Sequence, residues 1–370
     1  MINKGFYEQL EIIADERGLE REDVFNAVRV ALIKAVQVEG HKGAIEVEFN
    51  DEDKKIRIYE NFEVIDESIT TEIDPETGEE RPIERKEGDI TLEEAKKLKS
   101  RVRVGSKFRI EIDFRTIGRK GASRFKQIFI QNLKECGTKR AYEYFKSKEN
   151  EVITATVERA SDNAVIFNLG MNTTAYMPLE DTIVGETYEK GKQVKVVVTK
   201  VEESGKGPKV YVTRSQKDII KRLFETYIPE VATGVIDIVN IAREPGSRSK
   251  IGVISNNPNV DPKGSCVGVG GSRIREINND LNGERMDIFV WSDSPAKNIA
   301  EALTPAKVLS VLINEDNHQS IAIVPDDQYS LAIGKSGQNV RLACQVTGWK
   351  IDIKDETTAL QEGLSLKPIE

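Results

Sequence analysis

The chain contains an internal repeat, and this repeat limits its fold more than any other feature of the sequence. Over residues 216–291, and again over 295–355, the hydrophobic pattern predicts a helix, two strands, two helices around a glycine cluster and a last strand. Two copies of one supersecondary unit are therefore expected. The matched positions, 66 and then 65 residues apart, are Gly268 with Gly334, Gly271 with Gly337, Arg275 with Arg341, Gly283 with Gly348 and Asp287 with Asp352.

Each copy carries Gly-x-x-Gly between two predicted helices, as GVGG at 268–271 and GKSG at 334–337. The second loop is not a Walker loop, because the first glycine of that motif would stand at Tyr329. The first loop is not a dinucleotide-binding fingerprint, because the final glycine would fall at Arg273. The two loops therefore predict neither nucleotide hydrolysis nor dinucleotide binding.

The two loops instead favour a grip on phosphate. Glycine lets the backbone turn sharply and approach a ligand, and the helix that follows directs free N–H groups and its positive dipole end at the loop. Arg273, Arg275 and Arg341 can add charge, as can Lys335 within the second loop. This pattern resembles the GXXG loop of KH domains, which clamps about four nucleotides of a single strand. Gly→Asp changes across GKSG should weaken RNA binding without unfolding the domain.

Residues 151–214 hold short predicted strands with glycine and asparagine between them. The spacing favours a five-stranded oligonucleotide-binding barrel, with an SH3-like barrel as the alternative. Such barrels stack bases on exposed aromatic rings and bind phosphates with basic side chains. Phe167 lies in an apolar run and is a core candidate as well, whereas Tyr176 adjoins polar threonines. The candidate RNA contacts in this barrel are Phe167, Tyr176, Arg159, Lys192 and Lys195.

The first 150 residues have a different pattern, of helices mixed with strands. Thr91 and Glu94 form a capping-box signal that opens a short helix. A long basic helix over 118–149 is expected to bury Phe125, Ile128, Phe129, Leu133 and Cys136. The other predicted elements are helices over 3–17 and 20–38, strands over 44–49 and 55–65, an exposed loop or ribbon over 66–90, and a strand through Ile110, Ile112 and Phe114.

Charge is distributed unevenly along the chain. The net charge is −8, which by itself argues against nucleic acid as a partner. Residues 1–100 hold 15 basic and 27 acidic side chains, whereas residues 101–150 hold 14 basic and 5 acidic ones. An acidic segment followed directly by a basic one indicates two kinds of surface contact.

Composition narrows the class of protein further. The three cysteines, Cys136, Cys266 and Cys344, are far apart and are expected to be buried, reduced thiols. No run of apolar residues is long enough for a signal peptide or a membrane span, so a cytoplasmic protein is expected. His41 and His318 are isolated, and no acidic cluster has metal-ligand spacing. Neither a metal, a cofactor nor a catalytic residue is predicted.

The chain resembles the NusA family of bacterial transcription factors over essentially its whole length. The resemblance implies a multidomain α+β protein, with an α+β N-terminal domain, an S1-like OB-fold barrel and two tandem type II KH domains. The implied ranges are 1–148, 149–214, 215–293 and 294–370. The most specific stretches are AREPGSRSKIGVIS (242–255), VDPKGSCVGVGGSRIREINNDLNGERMDIFVW (260–291) and LAIGKSGQNVRLACQVTGWKIDI (331–353).

The loops, their flanking helices and the barrel supply the predicted RNA-binding residues. In the first loop the family more often has a basic or larger residue at position 270, where this chain has glycine. The second loop, with Lys335, is therefore expected to hold RNA more tightly. The predicted residues are Gly268, Val269, Gly270, Gly271, Ser272, Arg273 and Arg275 in the first copy; Gly334, Lys335, Ser336, Gly337, Gln338, Asn339 and Arg341 in the second; and Tyr176, Lys195 and Arg248.

The resemblance implies a non-enzymatic, RNA-binding elongation factor that promotes pausing and hairpin-dependent termination and takes part in antitermination. Its implied partners are nascent single-stranded RNA, other Nus factors and RNA polymerase near the RNA exit channel. On the polymerase, the β-flap is the expected contact, and the C-terminal domain of the α chain is a second candidate. No membrane partner is implied, and a monomer is expected.

Two other functions fit parts of the sequence. An accessory protein of a ribonuclease would also combine S1 and KH modules, but here S1 precedes KH and no catalytic pair of domains is present. A ribosome-associated factor would bind RNA through the same modules. Metal-dependent loss of RNA would favour the first alternative, and sedimentation with ribosomal subunits would favour the second.

Overall fold

The computed structural model describes residues 4–66, 71–73, 80–82, 85–205, 207–366 and 368–369. The chain divides into two compact units, Met1–Arg140 and Ala141–Glu370. The division falls eight residues before position 148, where the family resemblance placed the end of the first domain. Much of the predicted loop over 66–90 lies outside the described residues.

The first unit combines helices with a four-stranded sheet. The long strand β2 is central: β1 and β6 pair with it antiparallel, and β5 pairs with it parallel. Its elements in chain order are α1 (Lys4–Arg17), α2 (Arg21–Val38), β1 (Ala44–Asn50), β2 (Lys55–Ile65), β3 (Thr71–Ile73), β4 (Glu80–Pro82), β5 (Asp89–Thr91), α3 (Leu92–Leu98), β6 (Lys107–Ile112) and the first part of α4 (Arg119–Lys146).

The amphipathic stripes predicted for the first two helices form the core of this unit. Leu10 and Ala14 of α1 and Val28 and Leu32 of α2 are buried against Ile58 of β2. Both hydrogen bonds of the predicted capping box are present, between Thr91 and Glu94. Phe114, which was predicted to continue a strand, instead follows β6 in a short 3₁₀ turn, because the Asp113 side chain accepts from the Arg115 N–H and ends the strand.

The long helix α4 buries an apolar side, as predicted. Leu133 is buried, and Phe125, Phe129 and Cys136 pack against the core of the first unit. Ile128 is half-buried but lies outside that core. Beyond the division, Phe145 is buried in the barrel core of the second unit. The last two turns of the helix therefore belong to the barrel's hydrophobic core.

The second unit begins with a closed barrel of five strands in the order β10-β11-β9-β8-β7. Strands β11 and β9 are parallel and the other pairs are antiparallel, with β10 pairing with β7 to close the barrel. This is the topology of an oligonucleotide-binding barrel, so the SH3-like alternative is wrong. The strands are β7 (Val152–Ala160), β8 (Ala164–Gly170), β9 (Thr173–Pro178), β10 (Gln193–Glu202) and β11 (Lys209–Thr213).

The first repeat follows the predicted order of elements. Its three strands form a sheet in the order β12-β13-β14, with β12 and β13 antiparallel and β13 and β14 parallel. Ile219, Leu223 and Ile277 from its helices are buried against Ile251 and Ile288 of the sheet. The elements are α5 (Asp218–Tyr227), α6 (Pro229–Ala232), β12 (Ile236–Glu244), β13 (Arg248–Ser255), α7 (Pro262–Val267), α8 (Ser272–Asp280) and β14 (Arg285–Val290).

The second repeat has the same topology, so the internal repeat predicted from the sequence is confirmed. Its sheet has the order β15-β16-β17, again with one antiparallel and one parallel pair. The elements are α9 (Pro295–Ala302), β15 (Ser310–Asn314), β16 (Gln319–Val324), α10 (Tyr329–Ile333), α11 (Gln338–Thr347), β17 (Lys350–Asp355) and a terminal helix α12 (Glu356–Gln361).

The cysteines are free thiols, but only Cys266 is fully buried. Burial raises its pKa to about 12, so this thiol stays protonated at neutral pH. Cys136 and Cys344 are half-buried, because each lies at the rim of the apolar side of its helix. The prediction that all three would be buried is therefore wrong for two of them.

Candidate nucleic-acid interface

The GVGG loop joins α7 to α8 through three glycines with positive φ. Gly268 has φ 75° and ψ 169°, a combination that residues with a Cβ atom essentially do not adopt. Gly270 and Gly271 then follow in the left-handed region, with φ of 60° and 75°. Helix α8 begins at the next residue, so its first N–H groups face the loop.

The GKSG loop repeats this backbone between α10 and α11. Gly334 has φ 77° and ψ 173°, and Gly337 has φ 72°. Ser336 takes the place of Gly270 and keeps the same left-handed conformation, with φ 52°. The two loops therefore have one geometry although their sequences differ, which is the result expected of paired phosphate-binding loops.

The two glycines of each loop have different roles. A Cβ atom on Gly268 would lie 2.9 Å from Cγ of Arg273, and one on Gly334 would lie 2.7 Å from Cβ of Asn339. The first glycine therefore lets the loop lie against the helix that follows. A Cβ atom on the last glycine would meet nothing within 4 Å at Gly337, and only Arg275 and Ile274 at 3.9 Å at Gly271, so this part of each loop has open space beside it.

One arginine in each copy braces its own loop. Arg275 donates from Nη2 to the carbonyl of Gly270 at 2.8 Å, and Arg341 donates from Nη1 to the carbonyl of Ser336 at 3.3 Å. Both arginines are exposed. At the loop tips, Val269 is 94% exposed and Lys335 is also exposed. The second loop thus carries a charge at the position where the first carries an apolar side chain.

Other predicted contacts are also engaged within the protein. Arg273 donates to Glu230 at 2.8 Å and to the Ser265 carbonyl, and Arg248 is paired with Asp287 at 2.7 Å. Asn339 is only 1% exposed, because its amide donates to the Leu303 and Ala332 carbonyls. Gln338 donates to Glu244 and Ser247. Asn339 supports the loop from inside, and the sequence pattern did not distinguish it from the exposed positions.

The barrel brings aromatic and basic side chains into one row on its outer surface. Tyr176 is 39% exposed, and its ring meets that of Tyr211 edge to face at 6.1 Å. Phe167 is fully buried in the barrel core, so it is not a stacking residue. Tyr211 was not among the predicted contacts. The alternation along β11 does indicate that it points outward, since Val210 and Val212 on either side of it are both buried. In cross-strand register, this tyrosine row consists of Arg159, Ile166, Tyr176, Tyr211 and Lys200.

We expect both tyrosines to stack on bases. Replacing Tyr176 or Tyr211 with alanine should weaken the binding of unstructured single-stranded RNA by about 1–3 kcal/mol each, the range measured for base–aromatic stacking. Fluorescence anisotropy with a labelled RNA measures this change. Phenylalanine at the same position keeps the ring and should keep most of the affinity. An equal loss in the alanine and phenylalanine variants would contradict stacking.

The two predicted barrel lysines lie elsewhere, in a polar cavity between the barrel and the first repeat, which is called the first KH unit from here on. Its volume is about 300 Å³. Lys195 donates to Thr154, and Lys192 to the Thr187 carbonyl. Asn279 and Asn282 line the opposite wall. Lys195 is therefore not part of the tyrosine row.

The turn at 244–247 connects the three modules of the second unit. A Cβ atom on Gly246 would lie 2.6 Å from Ile183 of the barrel, so this glycine allows the turn to contact the barrel closely. On the other side, Glu244 accepts from Gln338 at 2.6 Å and from Arg341 at 2.6 Å. The barrel and the second KH loop thus contact the same four-residue turn.

A buried arginine links the barrel to the first KH unit. Arg214 is fully buried, and its guanidinium is paired with Glu186 at 2.8 Å. It also donates to the Lys195 carbonyl and, at 2.8 Å, to the Asp280 carbonyl at the end of α8. These hydrogen bonds satisfy the buried cation and hold the two modules together.

Within the described ranges, no three His, Cys, Asp or Glu side chains form a group that could hold a metal ion. Among the helices of the same residues, none has the length and apolar character needed to span a bilayer.

A five-stranded oligonucleotide-binding barrel, followed by two KH modules with matched GXXG loops, defines a nucleic-acid-binding protein. Family models match the chain as a NusA N-terminal domain at 5–139, a NusA-like first KH domain at 214–291 and a NusA-like second KH domain at 295–361. The chain belongs to the NusA family.

Relatives from several bacteria match the chain over nearly its whole length. The transcription termination/antitermination protein NusA of Bacillus subtilis (strain 168) is 37% identical over 98% of this chain and 93% of its own. The protein of the same name from Halalkalibacterium halodurans is 36% identical over 98% of this chain and 91% of its own. That from Thermus thermophilus is 36% identical, over 98% and 93%.

Proposed function

We propose that this protein is a transcription termination/antitermination factor that binds nascent RNA through its barrel and KH modules. The observation that carries the proposal is the pair of GXXG loops with one backbone geometry, each at the start of a helix and each open to solvent. Such loops bind phosphate with backbone N–H groups and do not transfer it. The names of the relatives supply the process in which this binding takes place.

The first unit is proposed to dock on RNA polymerase beside the RNA exit channel. The β-flap is the proposed contact, with the C-terminal domain of the α chain and other Nus factors as further partners. The basic segment 101–150, with 14 basic and 5 acidic side chains, would then face RNA or an acidic protein surface. This assignment rests on membership in the NusA family and on the charge pattern.

We further propose that the protein acts without catalysis and as a monomer in the cytoplasm. The proposed functional ranges are 1–148 for polymerase binding, 149–214 for the S1 barrel, and 215–293 and 294–370 for the two KH domains. The tyrosine row of the barrel and the two loops would then contact successive parts of one RNA strand.

An in vitro transcription assay tests the proposal. Purified protein should lengthen a pause that a nascent RNA hairpin stabilises, and it should increase release at a hairpin-dependent terminator. A mutant carrying substitutions in both GXXG loops is the control, since it should retain polymerase binding and lose most of this effect. Unchanged pausing and unchanged terminator read-through at saturating protein would overturn the proposal.

Two further measurements separate the alternative functions. Co-sedimentation with ribosomal subunits, in place of co-purification with RNA polymerase, would assign the protein to translation. Shortening of labelled RNA on incubation with Mg²⁺ or Mn²⁺ would assign it to RNA degradation. The proposal expects neither result.

A further inference from the structure

A carboxylate of the first KH unit lies on the phosphate-binding helix of the second. Glu244, at the end of β12, accepts from Nε and Nη2 of Arg341 at 2.8 and 2.6 Å, and from the Gln338 amide at 2.6 Å. Gln338 is the first residue of α11, and Arg341 is in its first turn. A negative group at this end of a helix is favoured by the free N–H groups and by the helix dipole.

The first KH loop has no equivalent of this contact. Arg275, the counterpart of Arg341, donates to the carbonyl of its own loop, and among the described residues no carboxylate is paired with it. The counterpart of Gln338 is Ser272. Glu244 therefore neutralises the arginine of one loop only.

The contact is not needed to hold the two KH units together. Phe289 and Trp291 of the first KH unit pack in one hydrophobic core with Ile299 and Leu342 of the second KH unit. The Asn240 amide also donates to the Val346 carbonyl across the same boundary. Burial of these large side chains stabilises the interface far more than an ion pair whose arginine side chain is 50% exposed.

We propose that Glu244 occupies the place of an RNA phosphate on the second KH loop and must be displaced when RNA binds. The proposal rests on the proposed function, since it assumes that this loop binds RNA. Arg341 would exchange one anionic partner for another, so the exchange keeps the second loop's hold on RNA weaker than its basic residues alone would make it. Lys335, which has no ion-pair partner among the described residues, would make the first contact.

The ionisation of Glu244 agrees with this role. Burial acts to raise its pKa, but the hydrogen bonds from Gln338 and Arg341 outweigh burial and hold the pKa below its ordinary value. The carboxylate is therefore charged at neutral pH and competes with phosphate as an anion.

The test is the Glu244→Gln variant of the full chain, with an unstructured single-stranded RNA of about 15 nucleotides, enough for the barrel and two clamps of about four nucleotides each. We expect RNA affinity at low salt to rise about fivefold, since the loop regains one cation. The slope of log affinity against log salt should change by less than about 0.7, the value for one phosphate contact on a single strand, because Arg341 contacts the phosphate in both proteins once Glu244 is displaced.

Glu362→Gln is the matched control, because it changes the net charge equally but removes the partner of Lys354 in the same unit. Its affinity should stay near wild type. In an Arg341→Gln background, Glu244→Gln should have little effect, whereas a general charge effect would persist. Thermal melts followed by tryptophan fluorescence should be unchanged, because the hydrophobic core shared by the two KH units stays intact. Both tryptophans, Trp291 and Trp349, pack in that core and report on its unfolding.

Three outcomes would overturn the inference. RNA affinity of Glu244→Gln that equals or falls below wild type would show that the carboxylate does not compete with phosphate. An equal rise in Glu362→Gln would show that net charge alone is responsible. If the wild-type protein did not bind RNA, the proposed function would fail together with the inference; if it bound RNA and Glu244→Gln did not bind more tightly, only the inference would fail.

Discussion

Replacing Gly271 and Gly337 together with aspartate should weaken single-stranded RNA binding about 30-fold. Both positions are the last glycine of a GXXG loop, and each precedes the first residue of the helix. A carboxylate about 5 Å from a phosphate repels it by about 1–3 kcal/mol, between the limits for bulk water and for a protein surface. Two such repulsions sum to about 2–6 kcal/mol, and screening by salt roughly halves this sum, which leaves about 2 kcal/mol near the middle of the range.

The fold has room for a side chain at both of these glycines. A Cβ atom on Gly337 would meet nothing within 4 Å, and one on Gly271 would meet only Arg275 and Ile274 at 3.9 Å. The left-handed backbone, with φ of 72° and 75°, costs about 1–2 kcal/mol for a residue with a Cβ atom, least for asparagine and aspartate. The domains should therefore stay folded.

The asparagine variants at both positions are the matched control. They have the same shape and the same backbone strain as the aspartate variants, but they carry no charge. Their RNA affinity should fall by less than about fivefold, because only the close approach of the backbone is affected. Equal affinities for the aspartate and asparagine variants would contradict phosphate binding at the loops.

The expectation that aspartate is tolerated anywhere in GKSG does not hold for Gly334. A Cβ atom there would lie 2.7 Å from Cβ and 2.9 Å from N of Asn339, and neither atom can move away without shifting α11. Gly334→Asp would therefore disturb the fold as well as the site. The difference between the two glycines arises from how the loop lies on its helix, which the motif alone does not show.

Glu284→Ala should destabilise the KH region by about 3–5 kcal/mol, the usual result of removing one partner of a buried ion pair. Glu284 is fully buried, and Arg243, whose side chain is 2% exposed, donates to it at 2.8 Å. The Gly246 N–H and the Ser249 hydroxyl also donate to this carboxylate, at 2.9 and 2.6 Å. Without Glu284, the buried Arg243 cation, the buried Ser249 hydroxyl and the half-buried Gly246 N–H all lose this acceptor.

Urea denaturation followed by tryptophan fluorescence measures this change in the free energy of unfolding, because both tryptophans lie in the KH units. Glu284→Gln should be less harmful, since its amide oxygen still accepts one of the hydrogen bonds. The double variant Arg243→Met with Glu284→Leu should recover much of the loss, because no buried charge is then left unpaired. A loss below about 1 kcal/mol for Glu284→Ala would show that water solvates this pair, contrary to the burial seen here.

The elements of this fold could be predicted where the signal is local. The periodic apolar stripes of α1 and α2, the capping box at Thr91, and the paired GXXG loops each depend on residues a few positions apart. Position 336 shows the limit of reading glycines alone. Ser336 adopts the left-handed conformation that Gly270 adopts in the first copy, so the loop geometry does not require glycine at its third position.

The roles of side chains were harder to predict than the elements that carry them. Arg273 and Arg275 are two residues apart on α8, yet the first is paired with Glu230 and the second reaches its loop. Helical spacing turns them to different sides, but which side meets the protein depends on where α6 lies. For the same reason, the sequence did not decide whether Phe167 is core or surface within a continuous apolar run.

The sequence by itself determined the repeat, the two loops, the barrel's number of strands and membership in a family of RNA-binding transcription factors. These properties depend on spacing along the chain, which the residues record directly. Only the tertiary structure decided that Glu244 neutralises Arg341, 97 residues away, and that Gly246 lies against the barrel. The physical reason is that contacts between modules depend on how whole faces pack, and no short stretch of sequence encodes the position of its distant partner.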